Sequence, residues 1–311
     1  MYVITWHKLN AKLIKLHPES CIVTLVAGGA TPTGDFRVLD ESTVKDELSE
    51  YYNTDASSAK ALGILWNANV DLLAYRINEI NVHTKRLTKR IILSYIAQIF
   101  DALSLLAPVT IRAKIMMQRL WQLKLEWDES VPFDIYTACA RLFKNISLTN
   151  ELKIKRHWVI EGAVDIQLHC FRDASIEAYG ACAYVVCTNK DGGSESGLLC
   201  AKSRVAPLKS VTLPRLELCG TLLLAQLVDR VLKALQMNIN NIWYWTNSTI
   251  VLSWLAAQPC TWQTFVSNRM SQIQQLSDVS KWGHVPSLEN PADVISRGTD
   301  AHVLLESTMW H

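Results

Sequence analysis

Phe171-Arg172-Asp173-Ala174-Ser175-Ile176-Glu177-Ala178-Tyr179-Gly180-Ala181-Cys182-Ala183-Tyr184 is the stretch from which the chain is best read. Upstream of it, Val164, Ile166, Leu168 and Cys170 alternate with Asp165, Gln167, His169, Phe171 and Asp173. A period of two reads as a half-buried strand that delivers Asp173 to an open sheet edge. Ala181 to Val186 reads as the next strand. Three later segments supply companions for Asp173: Glu217 in Leu213-Pro214-Arg215-Leu216-Glu217-Leu218, Asn247 in Trp245-Thr246-Asn247-Ser248-Thr249, and Asp293 in Asn290-Pro291-Ala292-Asp293. A strand carboxylate, a helix carboxylate, a polar group at a strand end and a carboxylate at a helix start form a layout suited to a divalent metal. A lone Asp at a strand end is ordinarily a turn residue, so the order and company of all four carry the signal.

These phrases, with Val251-Leu252-x-Trp254-Leu255 and Glu289 through Ile295-Ser296-Arg297-Gly298, resemble the ribonuclease H domain of BEL/Pao-type retrotransposon polyproteins. The resemblance implies an α/β fold over residues 161–311: a five-stranded mixed sheet flanked by helices. It also implies hydrolysis of RNA in RNA–DNA hybrids with Mg²⁺ or Mn²⁺, two cations about 3.5–4 Å apart clamping the attacking and leaving oxygens. In that scheme Asp173 bridges the metals, Glu217 holds one and its water, residue 247 completes the first shell, and Asp293 sits by the second. The family has Asp where this chain has Asn247. An amide keeps a carbonyl oxygen, loses the charge and brings an NH₂ donor to a place where only acceptors help. The expected loss is on the order of 10²–10³ or more in rate, although the three carboxylates could still hold one ion.

The same resemblance extends upstream. Ala61 to Trp66 and Asp71 to Tyr75, turning at Asn67-Ala68-Asn69, read as a hairpin and are similar to the Leu-Gly-x-x-Trp segment that closes the palm of these elements' reverse transcriptases. Thr88-Lys89-Arg90 through Trp127-Asp128-Glu129 resembles their thumb and connection, with Ala102 and Ser104 where the family usually has Pro and Gly. The expected organisation is the end of a palm at 1–80, a mainly helical thumb and connection at 81–160, and the ribonuclease H-like domain at 161–311. A chain of this content would begin late in the polymerase and stop near where an integrase region follows.

Between these landmarks, Gly28 to Gly34 reads as a plain loop and Asp40 to Tyr52 as a solvated acidic surface. Lys85, Arg86, Lys89 and Arg90 form the densest basic cluster and lead into a helical run, Ile91 to Leu106. Cations at a helix N-terminus work against its dipole, which favours phosphate contact over simple solvation. Pro108 is expected to break that run. Thr110 to Lys124 resumes it, with Ile115, Met116, Leu120 and Trp121 on one face. Thr212 is expected to cap the long helix that carries Glu217. Ser175, Arg215, Ser248 and Thr249, with Lys202 and Arg204, are candidate nucleic-acid contacts at the cleft edges. The tryptophans read mainly as core, and His284 as structural.

Composition narrows the classes. The 311 residues are 49% hydrophobic with a net charge of +2, enough for a core and too balanced for bulk attraction to nucleic acid. The eight Cys include no C-x-x-C pair and most fall in apolar runs, as reduced buried thiols do. No signal peptide or membrane span is read, so Asn145-Ile146-Ser147 and Asn247-Ser248-Thr249 are not taken as glycosylated, and a cytoplasmic or nuclear location is expected. Three functions compete: an active hybrid ribonuclease, a hybrid-binding module with weakened or lost cleavage, and a transposon remnant. Asn247 favours the last two. The family region has also been labelled a peptidase, but an aspartic peptidase needs Asp-Ser/Thr-Gly, and that tripeptide is absent. So is the Tyr-x-Asp-Asp motif of a polymerase.

Overall fold

The computed structural model describes residues 58–61, 63–67, 69–82, 86–235 and 237–310. The 28–34 loop, the 40–52 acidic stretch and Lys85 lie outside them.

The five expected strands form one mixed sheet. β5 (Ala163–Ala174), β6 (Ala178–Asn189) and β7 (Ser194–Val205) make an antiparallel meander, and β8 (Asn241–Thr246) and β9 (Trp282–His284) add parallel strands on the other side, in the order β7-β6-β5-β8-β9. The parallel pairing of β5 with β8 runs from Gln167↔Asn241 to Arg172↔Thr246. It therefore brings the next residue of β5, Asp173, beside Asn247, the residue just past β8.

Four strands of the smaller sheet precede and buttress this one: β1 (Ser58–Ala61), β2 (Ile64–Asn67), β3 (Leu72–Tyr75) and β4 (Ile154–Lys155), all antiparallel. The expected hairpin is β2–β3. Asp71 fixes its turn by accepting from Trp66 Nε1 at 2.8 Å and by a two-point pair with Arg156.

The helices are α1 (Lys89–Ala97), α2 (Ala107–Gln122), α3 (Phe133–Lys144), α4 (Leu213–Ala234), α5 (Thr249–Leu255), α6 (Thr264–Leu276), α7 (Asp293–Arg297) and α8 (Ala301–Glu306). Three expectations are corrected here. Pro108 does not interrupt a helix; it lies in the first turn of α2, where a missing N–H costs nothing. The break falls earlier, at 98–106. There Asp101 accepts from the N–H groups of Leu105 and Leu106 and from Tyr75 Oη. Thr212 precedes α4 but its side chain makes no capping bond. Trp121 is not on the buried face of α2; it is 52% exposed and packs edge-on against Trp127.

Apolar cores fill both sides of the large sheet. On one side Leu168, Cys170, Ala181 and Ala183 meet α4 and α6 through residues such as Leu224, Val228, Met270 and Ile273. On the other, Cys182, Tyr184, Leu198 and Ala201 meet α2, α7 and the C-terminal Trp310. Alternation along β6 sends Cys182 and Tyr184 one way and Ala181 and Ala183 the other. Gly180 marks the close approach of α7. A Cβ there would sit 2.8 Å from Ile295 Cβ and closer still to its Cγ2, so α7 lies directly on the strand. The outer edge of β7 is met by the 101–106 turn, where Ala201 N–H donates to Leu103 O at 2.9 Å.

Candidate active site

The site grows from the end of β5. Asp173 is the last acidic residue of that strand and is only 3% exposed. Its Oδ1 accepts from Asn247 Nδ2 at 2.8 Å, and its Oδ2 accepts from Ser296 Oγ. Ser296 belongs to α7, which opens with Asp293. Asn290 places that helix: its Nδ2 donates to the Arg172 carbonyl at 3.0 Å while its Oδ1 accepts from Ala292 N–H. Thus Asn290-Pro291-Ala292-Asp293 is a clamp that fastens the start of α7 to β5. Glu217, on the first turns of α4, accepts from Ser248 Oγ at 2.5 Å. Ser248 also caps α5 by accepting from Val251 N–H. Hydrogen bonds, with the backbone step from Asn247 to Ser248, therefore join Glu217, Ser248, Asn247, Asp173 and Ser296, and Asp293 lies one turn before Ser296. Of the four residues named from sequence, Asn247 touches Asp173, Asp293 acts on it electrostatically, and Glu217 is linked to them through Ser248.

Electrostatics at this end are dominated by burial. Burial raises the Asp173 carboxyl above the ordinary Asp range; the Ser296 and Asn247 donors offset part of that, Asp293 adds to it and Arg172 opposes it. Arg172 points to the opposite side of the sheet and is 0% exposed, with all three guanidinium nitrogens lacking a hydrogen-bond partner. Burial pulls it down to about 10, against the attraction of Glu217 and Asp173. It is an internal cation behind the acidic cluster. Asn247 Oδ1 is likewise buried without a partner.

The family model described as the Pao retrotransposon-like RNaseH-like domain matches residues 88–248, just over half of the chain. The chain belongs to this family. Solved structures similar to this Pao retrotransposon-like protein include RNase H1 from the halophilic archaeon Halobacterium salinarum NRC-1, at 15% identity over 42% of this chain and 93% of that one, with a TM-score of 0.27. Another is LC11-RNase H1 in complex with RNA/DNA hybrid, at 14% identity over 45% and 99%, TM-score 0.30. A third is the N-terminal RNase H domain of rv2228c from Mycobacterium tuberculosis, a fusion with maltose binding protein, at 14% over 46% and 97%, TM-score 0.28. No curated protein matches the sequence.

The donor set of this family member does not fit a pair of divalent cations as arranged. Both oxygens of Asp173 already accept from this chain's own donors, one oxygen of Glu217 accepts from Ser248, and Asp293 Oδ1 is paired with Arg297 at 2.8 Å. Among the described residues, no three His, Cys, Asp or Glu side chains stand where they could share an ion. The Asn247 amide nitrogen donates to Asp173 Oδ1, so a cation held by Asp173 through that oxygen would have to displace it.

The remaining candidates divide. Arg215, Thr249 and Arg86 are exposed, with Arg215 over the Phe265 ring at 5.1 Å and Arg86 donating to Ser130 Oγ. Arg90 is exposed and holds Asp128 at two points. Lys89 departs from the expected surface cluster: it is 3% exposed, donates to Leu125 O at 2.6 Å, and lies 4.4 Å from the Trp121 ring centroid and 5.4 Å from that of Trp127. Ser248 is buried in the carboxylate network. Ser175 braces the turn after β5, accepting from Glu177 and Ala178 N–H and donating to Ser296 O at 2.7 Å. His284, expected as structural, ends β9 with its side chain exposed. Of the tryptophans, Trp282 is core, whereas Trp243 and Trp245 are half-buried and bond Gln167 and His169 across the sheet face.

Proposed function

We propose that this chain is a retrotransposon-derived, ribonuclease H-like nucleic-acid-binding protein for RNA–DNA hybrids, in which cleavage is weakened or lost. The observation that carries the reading is the 2.8 Å bond from Asn247 Nδ2 to Asp173 Oδ1. An Asp at 247 would place two carboxylates in contact, a repulsion that only a proton or a cation relieves. The amide relieves it from within, so Asp173 Oδ1 has a partner without an ion, and the site presents a donor beside that carboxylate. The chain keeps the acidic cluster, the sheet that displays it and exposed cations such as Arg215, which suits backbone and 2′-hydroxyl contacts to a hybrid. The second reading, an active hybrid ribonuclease, draws on Asp293 near Asp173 and on Glu217 bonded to Ser248, the neighbour of Asn247.

The test is cleavage of labelled RNA in an RNA–DNA hybrid with Mg²⁺ or Mn²⁺, alongside hybrid binding, for the parent, Asn247→Asp and Asp173→Asn. The expected result is hybrid binding in the parent and a gain in cleavage on the order of 10²–10³ in Asn247→Asp. Parental cleavage that vanishes in Asp173→Asn would establish the active-enzyme reading instead. Failure of the parent to bind any hybrid would overturn the binding reading and leave a remnant.

A further inference from the structure

One strongly charged feature lies outside the carboxylate site. A pocket opens between the 102–104 turn, β7 and α4. Lys202 and Arg204, two apart on β7, present their side chains to the same side of the sheet. Across from them, Gln226 and Arg230 are four apart on α4 and so share a face. Ser104 closes the third side. Among the described residues, the lining holds Lys202, Arg204 and Arg230 and no Asp or Glu. Lys114, donating to Ser203 Oγ at 3.0 Å, adds a fourth positive charge nearby. The neighbouring carboxylate, Asp101, bonds Tyr75 and the backbone of Leu105 and Leu106 and also attracts Lys114.

Like charges gathered in one concave site repel one another, and a phosphate group placed among them lowers that repulsion. Burial, then Arg230, Arg204 and Lys114, pull the Lys202 ammonium down to about 8. The pocket wall also carries backbone strain: Ser104 has φ 56, a left-handed conformation costly for a residue with a Cβ, and strain of this kind gathers at binding sites. Arg204 and Arg230 are exposed at the rim, where planar guanidinium groups can take phosphate oxygens two at a time, while Lys202 acts as a point charge within.

We propose that this pocket binds a phosphate group, supplied by a nucleic-acid backbone or by a free polyphosphate, at a place distinct from the Asp173 cluster. The pocket stands or falls independently of cleavage and of hybrid binding. The experiment is site-resolved acylation of lysines in the full chain at a pH of about 8, read by mass spectrometry, with and without tripolyphosphate or an RNA–DNA hybrid. The expected result is severalfold protection of Lys202, but not of exposed Lys209, by at least one of the two. Protection should be lost in Arg204→Gln/Arg230→Gln, whose circular dichroism should match the parent, and retained in Arg204→Lys/Arg230→Lys. Protection by tripolyphosphate alone assigns the pocket to free polyphosphate, by the hybrid alone to the backbone, and by both to either source. No protection by either ligand, or protection that survives the Gln pair, overturns the proposal. Polyphosphate protection in a chain that binds no hybrid would sink the hybrid reading and leave the pocket standing.

Discussion

At position 247 a single nitrogen in place of an oxygen turns a repulsive contact into an attractive one, and the neighbours have their donors arranged to match. Ser296 is the other half of that arrangement. Ser296→Ala would leave the nearly buried Asp173 Oδ2 without its donor, at a cost of about 1–3 kcal/mol. Urea unfolding of the two proteins measures this, and an unchanged midpoint would show that the hydroxyl contributes nothing. Asp173, Glu217, Asn247 and Asp293 were legible because each sits in its own distinctive phrase. Ser296 and Asn290 stood in one of those phrases, yet their contacts reach across 123 and 118 residues of chain, which no local pattern reveals. Arg172 was not singled out, although the alternation through Cys170 carries the buried face on to it, and α4 packs against it at Gly220. Lys89 was misread for the related reason that its partners, Trp121, Leu125 and Trp127, lie more than thirty residues on.

Elements of this site are positioned by closeness of backbone more than by any one side chain. Gly180 lets α7 rest on β6, and α7 carries both Asp293 and Ser296. Gly180→Ala is expected to cost about 1–3 kcal/mol as an overpacked contact and to shift α7 away from Asp173. Thermal unfolding, with the Ser296 and Asp293 amide signals followed by NMR, checks both; unchanged stability would mean that the helix has slack. Strand periodicity was readable because the two cores enforce alternation on β5 and β6. Helix ends were less so, since the same Pro108 that stops a helix in its interior suits its first turn. The Ser104 turn shows what a substituted glycine leaves behind: the left-handed backbone persists at φ 56, where the resemblance places Gly.

For the whole molecule, the upstream helices and the sheet share one apolar core, and the C-terminus is stitched into it. Trp310 is 0% exposed and donates from Nε1 to Leu105 O at 2.9 Å, while Tyr184 Oη reaches the Met309 and Trp310 carbonyls at 3.3 Å. Trp310→Ala should cost about 3–5 kcal/mol and lower the urea midpoint of fluorescence and circular dichroism together. Separate transitions would show that the upstream helices and the sheet unfold independently. The bond from Ala201 to Leu103 has a further consequence. An uncovered, long outer strand is an invitation for another chain to extend the sheet. Here the turn at 101–106 occupies part of one margin, and the other margin, β9, is only three residues long. The larger sheet thus offers another chain little template for strand addition along either margin.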